Sequence, residues 1–450
     1  MRNVGRRGTT GARSRAVGAA ALLALAAGGL AACTPAPTPT APTPVSTTPA
    51  PTVTTDEPST DPETEIPGGV FPGFPTDEPT VEPEEPLRWA DGSEIEGTLL
   101  DTGTARRLGP DALTVLRELE SPEGLSLNLL DVAVDGTVLV SDVGEQRYVE
   151  REDGSVTVEA TEGSVVRVVG PRGEKVLTSP SKEPEETYSG LLLPDGSAVW
   201  FGSLLEESAE NHVYRAPAGS TKGAEVTGGK DDGPDGFAGY LDDGIVLRDG
   251  RLRAWDGTTR TFIDPLGEGS GVQRAGCARE ECPLIREDVT FDDDAAEGDA
   301  TGYLRPAHTT VSFLEDGAST PVLTYGGGGS VVGAYEQWIV VANFSPESGH
   351  RTWILDTSNR TARYLADLPS FALAGPRLVW GTYQYNGELD DEGGDVHVLD
   401  VRTGDLARIV VDEAVGWPRV AGDIVAWTRQ AADGSLGRTG AVARFGKDVP

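Results

Sequence analysis

The chain has 450 residues, with 37 lysines and arginines against 72 aspartates and glutamates, a formal charge of −35. Such an acidic balance opposes binding to phosphate backbones and anionic lipid surfaces and favours a soluble monomer, so nucleic acid is not an expected partner. Three cysteines and four histidines, spread over this length, leave few ligands for a transition metal.

Arg2, Arg6, Arg7, Arg13 and Arg15 precede an apolar stretch over 16–30, which ends in Leu30-Ala31-Ala32-Cys33. A membrane-spanning helix needs about 20 apolar residues, and this stretch is shorter, so it reads as a cleaved signal over 1–32. Arg6-Arg7 is followed by Gly8-Thr9-Thr10 instead of apolar residues, which favours general secretion over the twin-arginine route. The Leu-Ala-Ala-Cys run resembles the lipobox of bacterial lipoproteins. That resemblance implies acylation of Cys33, by chains such as palmitate, and a mature protein anchored on the extracytoplasmic face of the cell membrane without spanning it. Loss of residues 1–32 removes five basic residues and no acidic ones, leaving a charge of −40.

Residues 33–86 hold 15 of the 32 prolines, interleaved with threonine, and contain no lysine or arginine. Proline removes backbone donors and favours an extended conformation rising about 3.1 Å per residue, so a disordered, semi-rigid stalk with a reach of order 150 Å is expected. The Thr/Pro-rich start, 34–51, has the composition of an O-glycosylated stalk or of a plain spacer. Ten acidic residues in the second half extend the chain further. The folded domain is assigned to 87–450.

Within that domain, Ala112, Val115, Leu116 and Leu119 follow Pro110-Asp111 at helical spacing and predict a helix over 110–119. The remainder is β-rich and punctuated by Asp-Gly at 135–136, 195–196, 243–244, 249–250, 256–257 and 316–317. Asp-Gly in these positions predicts two-residue hairpin turns. With Cys33 assigned to lipid, Cys277 and Cys282 remain as a matched pair, read as a disulfide in an oxidising compartment, with a zinc site as the alternative. Asp292, Asp294, Glu297 and Asp299 offer the hard oxygen ligands that Ca2+ requires, or form a solvated acidic insertion. Glu388, Asp390, Asp391, Glu392 and Asp395 form a similar run, and no other cofactor is expected.

Internal repetition carries the architecture. An inner pattern reads Leu373-Ala-Gly-Pro-Arg-Leu-Val-Trp380 and Val420-Ala-Gly-Asp-Ile-Val-Ala-Trp427, with Gly333-Ala-Tyr-Glu-Gln-Trp-Ile-Val340 as a looser copy. An outer pattern runs Ile354-Leu-Asp-Thr-Ser-Asn-Arg-Thr-Ala-Arg363 and Val398-Leu-Asp-Val-Arg-Thr-Gly-Asp-Leu-Ala-Arg408, its aspartates Asp356 and Asp400 lying 44 residues apart. A period of about 40 to 45 residues is the length of one four-stranded propeller blade. A third outer copy, Leu99-Leu-Asp-Thr-Gly-Thr-Ala-Arg-Arg-Leu108, stands at the start of the domain. The last inner copy lacks a partner, so joining the two chain ends would complete a shared blade and close the ring. The prediction is an all-β fold, a β-propeller of about seven blades, with six or eight open, closed by N- and C-terminal strands.

These motifs resemble the propeller repeat of the TolB-like family over roughly 330–430. The resemblance implies a ring that binds protein partners through its faces. No Gly-x-Ser-x-Gly, P-loop, Gly-x-Gly-x-x-Gly or His-Glu-x-x-His occurs in the chain. Trp200, Trp338, Trp380 and Trp427 lie in apolar runs and are assigned to the core, while Trp255 and Trp417 sit nearer turns and are candidates for a ligand or partner face. The expected role is a membrane-anchored binding or scaffold module for an envelope protein or glycan. The competing class is an enzyme acting on envelope polysaccharide or peptide through carboxylates at one face.

Overall fold

Strands buried on both faces stand at the centre of several repeats: Val138–Val143 and Asp395–Asp400 are buried at every position. A strand covered on both sides must lie between two other sheets, and repeated units that satisfy this mutually stack side by side into a ring. The computed structural model describes residues 87–450 apart from connecting segments at 145, 151–155, 161–162, 182–184, 205–210, 229–236, 242–243, 248–250, 262–270, 274–282, 292–305, 316–317, 327–328, 346–348, 367–370, 382–393, 412–414 and 431–435. The described residues form seven four- or five-stranded sheets, the blades, and one extra two-stranded hairpin.

Blade 1 comprises Ser126–Val132, Val138–Val143, Val165–Gly170 and Gly173–Val176, with the extra hairpin Gln146–Glu150 and Val156–Ala160 inserted after its second strand. Blade 2 comprises Glu185–Leu192, Ala198–Leu204, Asn211–Ala216 and Ala224–Gly228, and blade 3 Phe237–Leu241, Gly244–Leu247, Arg251–Ala254 and Thr259–Thr261. Blade 4 runs Gly271–Gln273, Leu284–Phe291, Pro306–Glu315 and Ala318–Gly326. Blade 5 runs Gly329–Tyr335, Trp338–Ser345, Gly349–Asp356 and Thr361–Ala366. Blade 6 is Phe371–Ala374, Arg377–Gly381, Asp395–Asp400 and Leu406–Val410. Blade 7 takes Val415–Ala421, Ile424–Gln430 and Leu436–Phe445 from the C-terminus and its outer strand, Leu113–Glu120, from the N-terminus. The predicted seven-bladed ring, closed by both chain ends, is therefore the fold.

The core lies in the seams between blades. Val379, Val396 and Ile409 of blade 6 pack on Val415, Val425 and Trp427 of blade 7. Leu127, Leu129 and Val140 of blade 1 meet Ala421, Ile424 and Val442 of blade 7. Trp200, Trp338, Trp380 and Trp427 are buried in such seams, as predicted. Each fully buried large side chain contributes roughly 1.5–3 kcal/mol.

The closing segment differs from the predicted one. Leu113–Glu120 pairs antiparallel with Leu436–Phe445, setting Thr114 opposite Arg444 and Leu119 opposite Gly440. The Leu99 to Leu108 copy instead lies farther out, where Gly97–Leu99 and Arg106–Leu108 add parallel fifth strands to blades 5 and 6. Ahead of them, Arg88–Trp89 adds an antiparallel fifth strand to blade 4. The N-terminal run is thus a belt that touches blades 4, 5, 6 and 7 in chain order, anchored by Leu87 and Trp89 in the blade 4–5 core and by Leu113 in the blade 6–7 core.

The predicted helix over 110–119 is replaced by a single 3-10 turn, Pro110–Ala112, followed by that closing strand. The register skips Leu116, because Val442 faces Arg117 while Ala443 faces Val115. This β-bulge breaks the two-residue alternation and leaves apolar residues at spacings that imitate a helix. The Asp-Gly turns at 135–136, 195–196 and 256–257 also differ in type, while those at 243–244, 249–250 and 316–317 fall wholly or in part on segments outside the described residues. At 133–137, 193–197 and 254–258, the residue before the loop bonds across three residues, and the glycine, with φ near +80°, bonds back to it. These are three-residue loops in which glycine alone takes the left-handed conformation, while the preceding aspartate accepts the amide two residues on, as Asp135 does from Thr137 at 2.9 Å.

A buried ion pair secures the junction between the closing strand and blade 1. Arg167 is paired with Asp142, which also accepts the Ser121 hydroxyl at 2.5 Å, and Arg167 Nη2 donates to the Glu120 carbonyl at 3.1 Å. Both side chains are buried; Asp142 relies on Arg167 for its counter-charge, and Arg167 also meets Glu174 at 3.0 Å.

Candidate functional site

Three tight hairpins stand side by side on one rim of the ring. Each joins the first to the second strand of its blade: Glu336-Gln337 in blade 5, Gly375-Pro376 in blade 6 and Gly422-Asp423 in blade 7. Their first central residues have φ of 50°, 56° and 61°, the position at which a two-residue turn asks for glycine. Glu336 holds that conformation at the expense of backbone strain.

The outer turns on the same rim are capped by the repeat aspartates. Asp356 Oδ1 accepts the amides of Ser358 and Asn359, and Asp400 Oδ1 accepts that of Arg402. Burial opposes the charge of Asp400, but the Arg402 side chain and the turn amides overcome it and hold the carboxyl below the usual aspartate range. Asp356 is shifted down in the same way by its Ser358 and Asn359 hydrogen bonds, against burial.

Between these turns opens a cleft of about 340 Å³, lined by Tyr335, Gly375, Pro376, Arg377, Asp400 and Arg402 among others. Gly375 sits against the Tyr335 ring, where a Cβ would come within 3.9 Å. Arg377 is held from several sides: Nε donates to the Pro450 carbonyl at 2.6 Å, Nη1 to that of Gly422 at 2.7 Å, and the guanidinium lies 5.5 Å over the Phe445 ring. Arg402 forks onto Asp400, with Nη2 at 2.8 Å from Oδ2, while its side chain stays 48% exposed. The cleft therefore offers a tyrosine ring, a proline ring and a half-exposed guanidinium, all on turns fixed by backbone hydrogen bonds. Tyr335, Arg377 and Arg402 were not singled out from the sequence. All three lie within or beside the repeat copies, whose turn residues, Gly-Pro and Leu-Asp-x-Arg, carried the signal.

Trp255 and Trp417 are not brought together. Trp255 occupies the loop between the last two strands of blade 3, half-buried beside the blade 2–3 core, with Arg215 4.7 Å over its ring. Arg215 is held in turn by Asp195 at 2.8 Å. Trp417 lies on the innermost strand of blade 7, 43% exposed, at φ 44° within a bulge. Cys33, Cys277, Cys282, Asp292, Asp294, Glu297 and Asp299 lie outside the described residues. So do Glu388, Asp390, Asp391 and Glu392. Asp395 is described and departs from the expected solvated run, because it opens a strand, is 1% exposed and pairs with Arg408. Among the described residues no group of three or more His, Cys, Asp or Glu could hold a metal ion.

One buried titratable group stands apart from the cleft. His397 of blade 6 is stacked on Trp380, ring centroids 5.1 Å apart at 4°, and its Nδ1 has no hydrogen-bond partner among the described residues. Burial, reinforced by the Arg408 charge, pushes its pKa down to about 4.

Seven blades in a ring with a cleft among the turns of one rim define a seven-bladed β-propeller. No family model and no curated relative matches the sequence. Solved propellers resemble the chain at low identity. The β-propeller domain of the trilobed protease from Pyrococcus furiosus is 9% identical, with a TM-score of 0.42, covering 72% of this chain and 96% of that one. Virginiamycin B lyase from Staphylococcus aureus is 11% identical, with a TM-score of 0.41, covering 74% and 99%. The WD40 domain of coronin from Toxoplasma gondii is 8% identical, with a TM-score of 0.38, covering 75% and 89%.

Proposed function

We propose that this chain is an extracytoplasmic lipoprotein, anchored through lipid on Cys33 and held off the membrane by residues 33–86, whose propeller is a binding or scaffold module for an envelope protein or glycan. The turn-rim cleft is the observation that supports the binding role. Its walls are preorganised by turn geometry, so an occupant orders few side chains on arrival. Its chemistry pairs apolar rings with one exposed cation, as recognition sites do. The carboxylate in the cleft, Asp400, is held ionised by Arg402, which suits fixing the guanidinium and not donating a proton to a scissile bond.

A photo-crosslinking residue placed at Tyr335 or Arg402 in the native envelope tests this reading, with a control at Arg260 on the outer wall of blade 3. A specific partner captured from the rim and not from the wall supports it. Identical capture from all three positions, or none, counts against it. Radiolabelled palmitate incorporated in the wild type and lost in Cys33→Ala tests the anchor.

A further inference from the structure

Two arginines stand in the lining of the rim cleft, and they are held differently. Arg377 turns Nε onto the Pro450 carbonyl and Nη1 onto that of Gly422, so it faces backbone. Arg402 is gripped along one side only: Nε lies 3.2 Å from Asp400 Oδ1 and Nη2 2.8 Å from Oδ2. A guanidinium has a second edge, formed by Nη1 and the outer hydrogen of Nη2. Arg402 Nη1 meets no acceptor among the described residues, and the side chain is 48% exposed. Asp400 thus fixes the plane of the guanidinium and leaves its end open, an arrangement that grips a planar anion through two parallel hydrogen bonds.

The rest of the lining narrows the ligand. Asp400 Oδ1 already accepts the Arg402 and Thr403 amides besides Arg402 Nε, and the Gly422 and Pro450 carbonyls are taken by Arg377. Sugar hydroxyls donate as well as accept and find few open acceptors here, whereas a carboxylate only accepts. The Asp400 hydrogen bond and charge raise the Arg402 pKa against its partial burial, and the charge of Glu336 on the neighbouring turn adds to them, so Glu336 lies within electrostatic reach of the guanidinium. It repels a dianionic phosphate about twice as strongly as a single carboxylate. At about 340 Å³ the cleft stands near the small end of ligand pockets, about 300–1,000 Å³, which suits a short segment and not a folded surface. The Tyr335 and Pro376 rings in the same lining offer apolar contact to the neighbours of an acidic residue.

We propose that the cleft takes an acidic peptide segment, its aspartate or glutamate carboxylate seated end-on against Arg402 and a flanking apolar side chain against the Tyr335 and Pro376 rings. This occupant presupposes the binding role of the cleft proposed above and adds the chemistry that is recognised there.

Immobilised pools of short random peptides, with glutamate, glutamine, lysine or phosphoserine fixed at the centre, test this on the full chain. Retention on the glutamate pool is expected to exceed that on the glutamine and lysine pools about tenfold, and Arg402→Gln to bring it down to the glutamine level. Glu336→Gln leaves Arg402 in place and removes a repelling charge, so it is expected to strengthen retention on the glutamate pool about two- to threefold and to leave the glutamine pool unchanged. Equal retention of glutamate and glutamine pools, a preference for phosphoserine, or a glutamate preference that survives Arg402→Gln overturns the proposal. If crosslinking at Tyr335 still captures a specific partner while the pools show no glutamate preference, the cleft binds and only this occupant falls; if neither is seen, the binding role falls with it.

Discussion

His397 makes the stability of the ring depend on pH with a sign and size fixed by its surroundings. Its folded-state pKa of about 4 lies below the ordinary value of 6.5, because burial, and secondly Arg408, disfavour the imidazolium. The unfolded chain therefore binds a proton that the folded chain refuses. The contribution is fully present above pH 6.5 and is lost as pH falls toward 4. From these two values, the loss from this group is about 1.4 kcal/mol at pH 5.5 and about 2 kcal/mol at pH 5. Carboxylates titrate over the same range, so the comparison needs a variant that removes only the imidazole. His397→Phe keeps an aromatic ring on Trp380 and removes the unpaired Nδ1. Urea unfolding of both chains at pH 7.5 and pH 5 gives the difference between their pH dependences. The wild type is expected to lose about 2 kcal/mol more than the variant over that interval. Parallel curves would refute the argument, and a steeper loss in the variant would reverse its sign.

Removing one half of the buried pair at the blade 7–1 junction, by Asp142→Ala or Arg167→Ala, is expected to cost about 3–5 kcal/mol in urea unfolding, and a cost under about 1 kcal/mol would contradict its placement. Glu336→Gly relieves a left-handed backbone and is expected to raise stability by up to about 1 kcal/mol, whereas Gly375→Ala lowers it by about 1–2 kcal/mol; opposite signs in a denaturation midpoint would overturn the turn assignment. Asp356→Ala leaves turn amides without their acceptor and is expected to cost about 1–2 kcal/mol, with an unchanged midpoint as the contrary result.

The repeats exposed what is periodic. Ile424 to Trp427 and Leu378 to Trp380 are buried strand segments between seams, and their apolar runs announced that. What escaped was pairing over long sequence distance. Asp101 Oδ1 accepts the Gly103 amide at 2.8 Å just as Asp356 and Asp400 cap their turns, so Leu99 to Leu108 copies the outer motif locally. Its strands are only three residues long and align parallel to blades 5 and 6, a choice set by blade edges far along the chain. The bulge at Leu116 hid the true closing strand, exposing Val115 and Leu116 where alternation would bury one of them. The cleft escaped for a related reason. Tyr335, Pro376 and Arg402 belong to three separate turns of blades 5 and 6, set side by side by strand pairing within blade 6 and by the packing of blade 5 on it, whereas Trp255 and Trp417, conspicuous in the sequence, lie on different blades.

The closure of the ring by Leu113–Glu120 is the claim on which the blade 7–1 seam, the last step of the belt and the closed ring depend. Thr114→Cys with Arg444→Cys places two thiols on directly paired exposed residues, and mild oxidation followed by peptide mapping reads the bond. The account predicts an intramolecular disulfide between positions 114 and 444 in folded monomer. Failure of that bond to form in the folded protein, or its formation only between molecules, would contradict it.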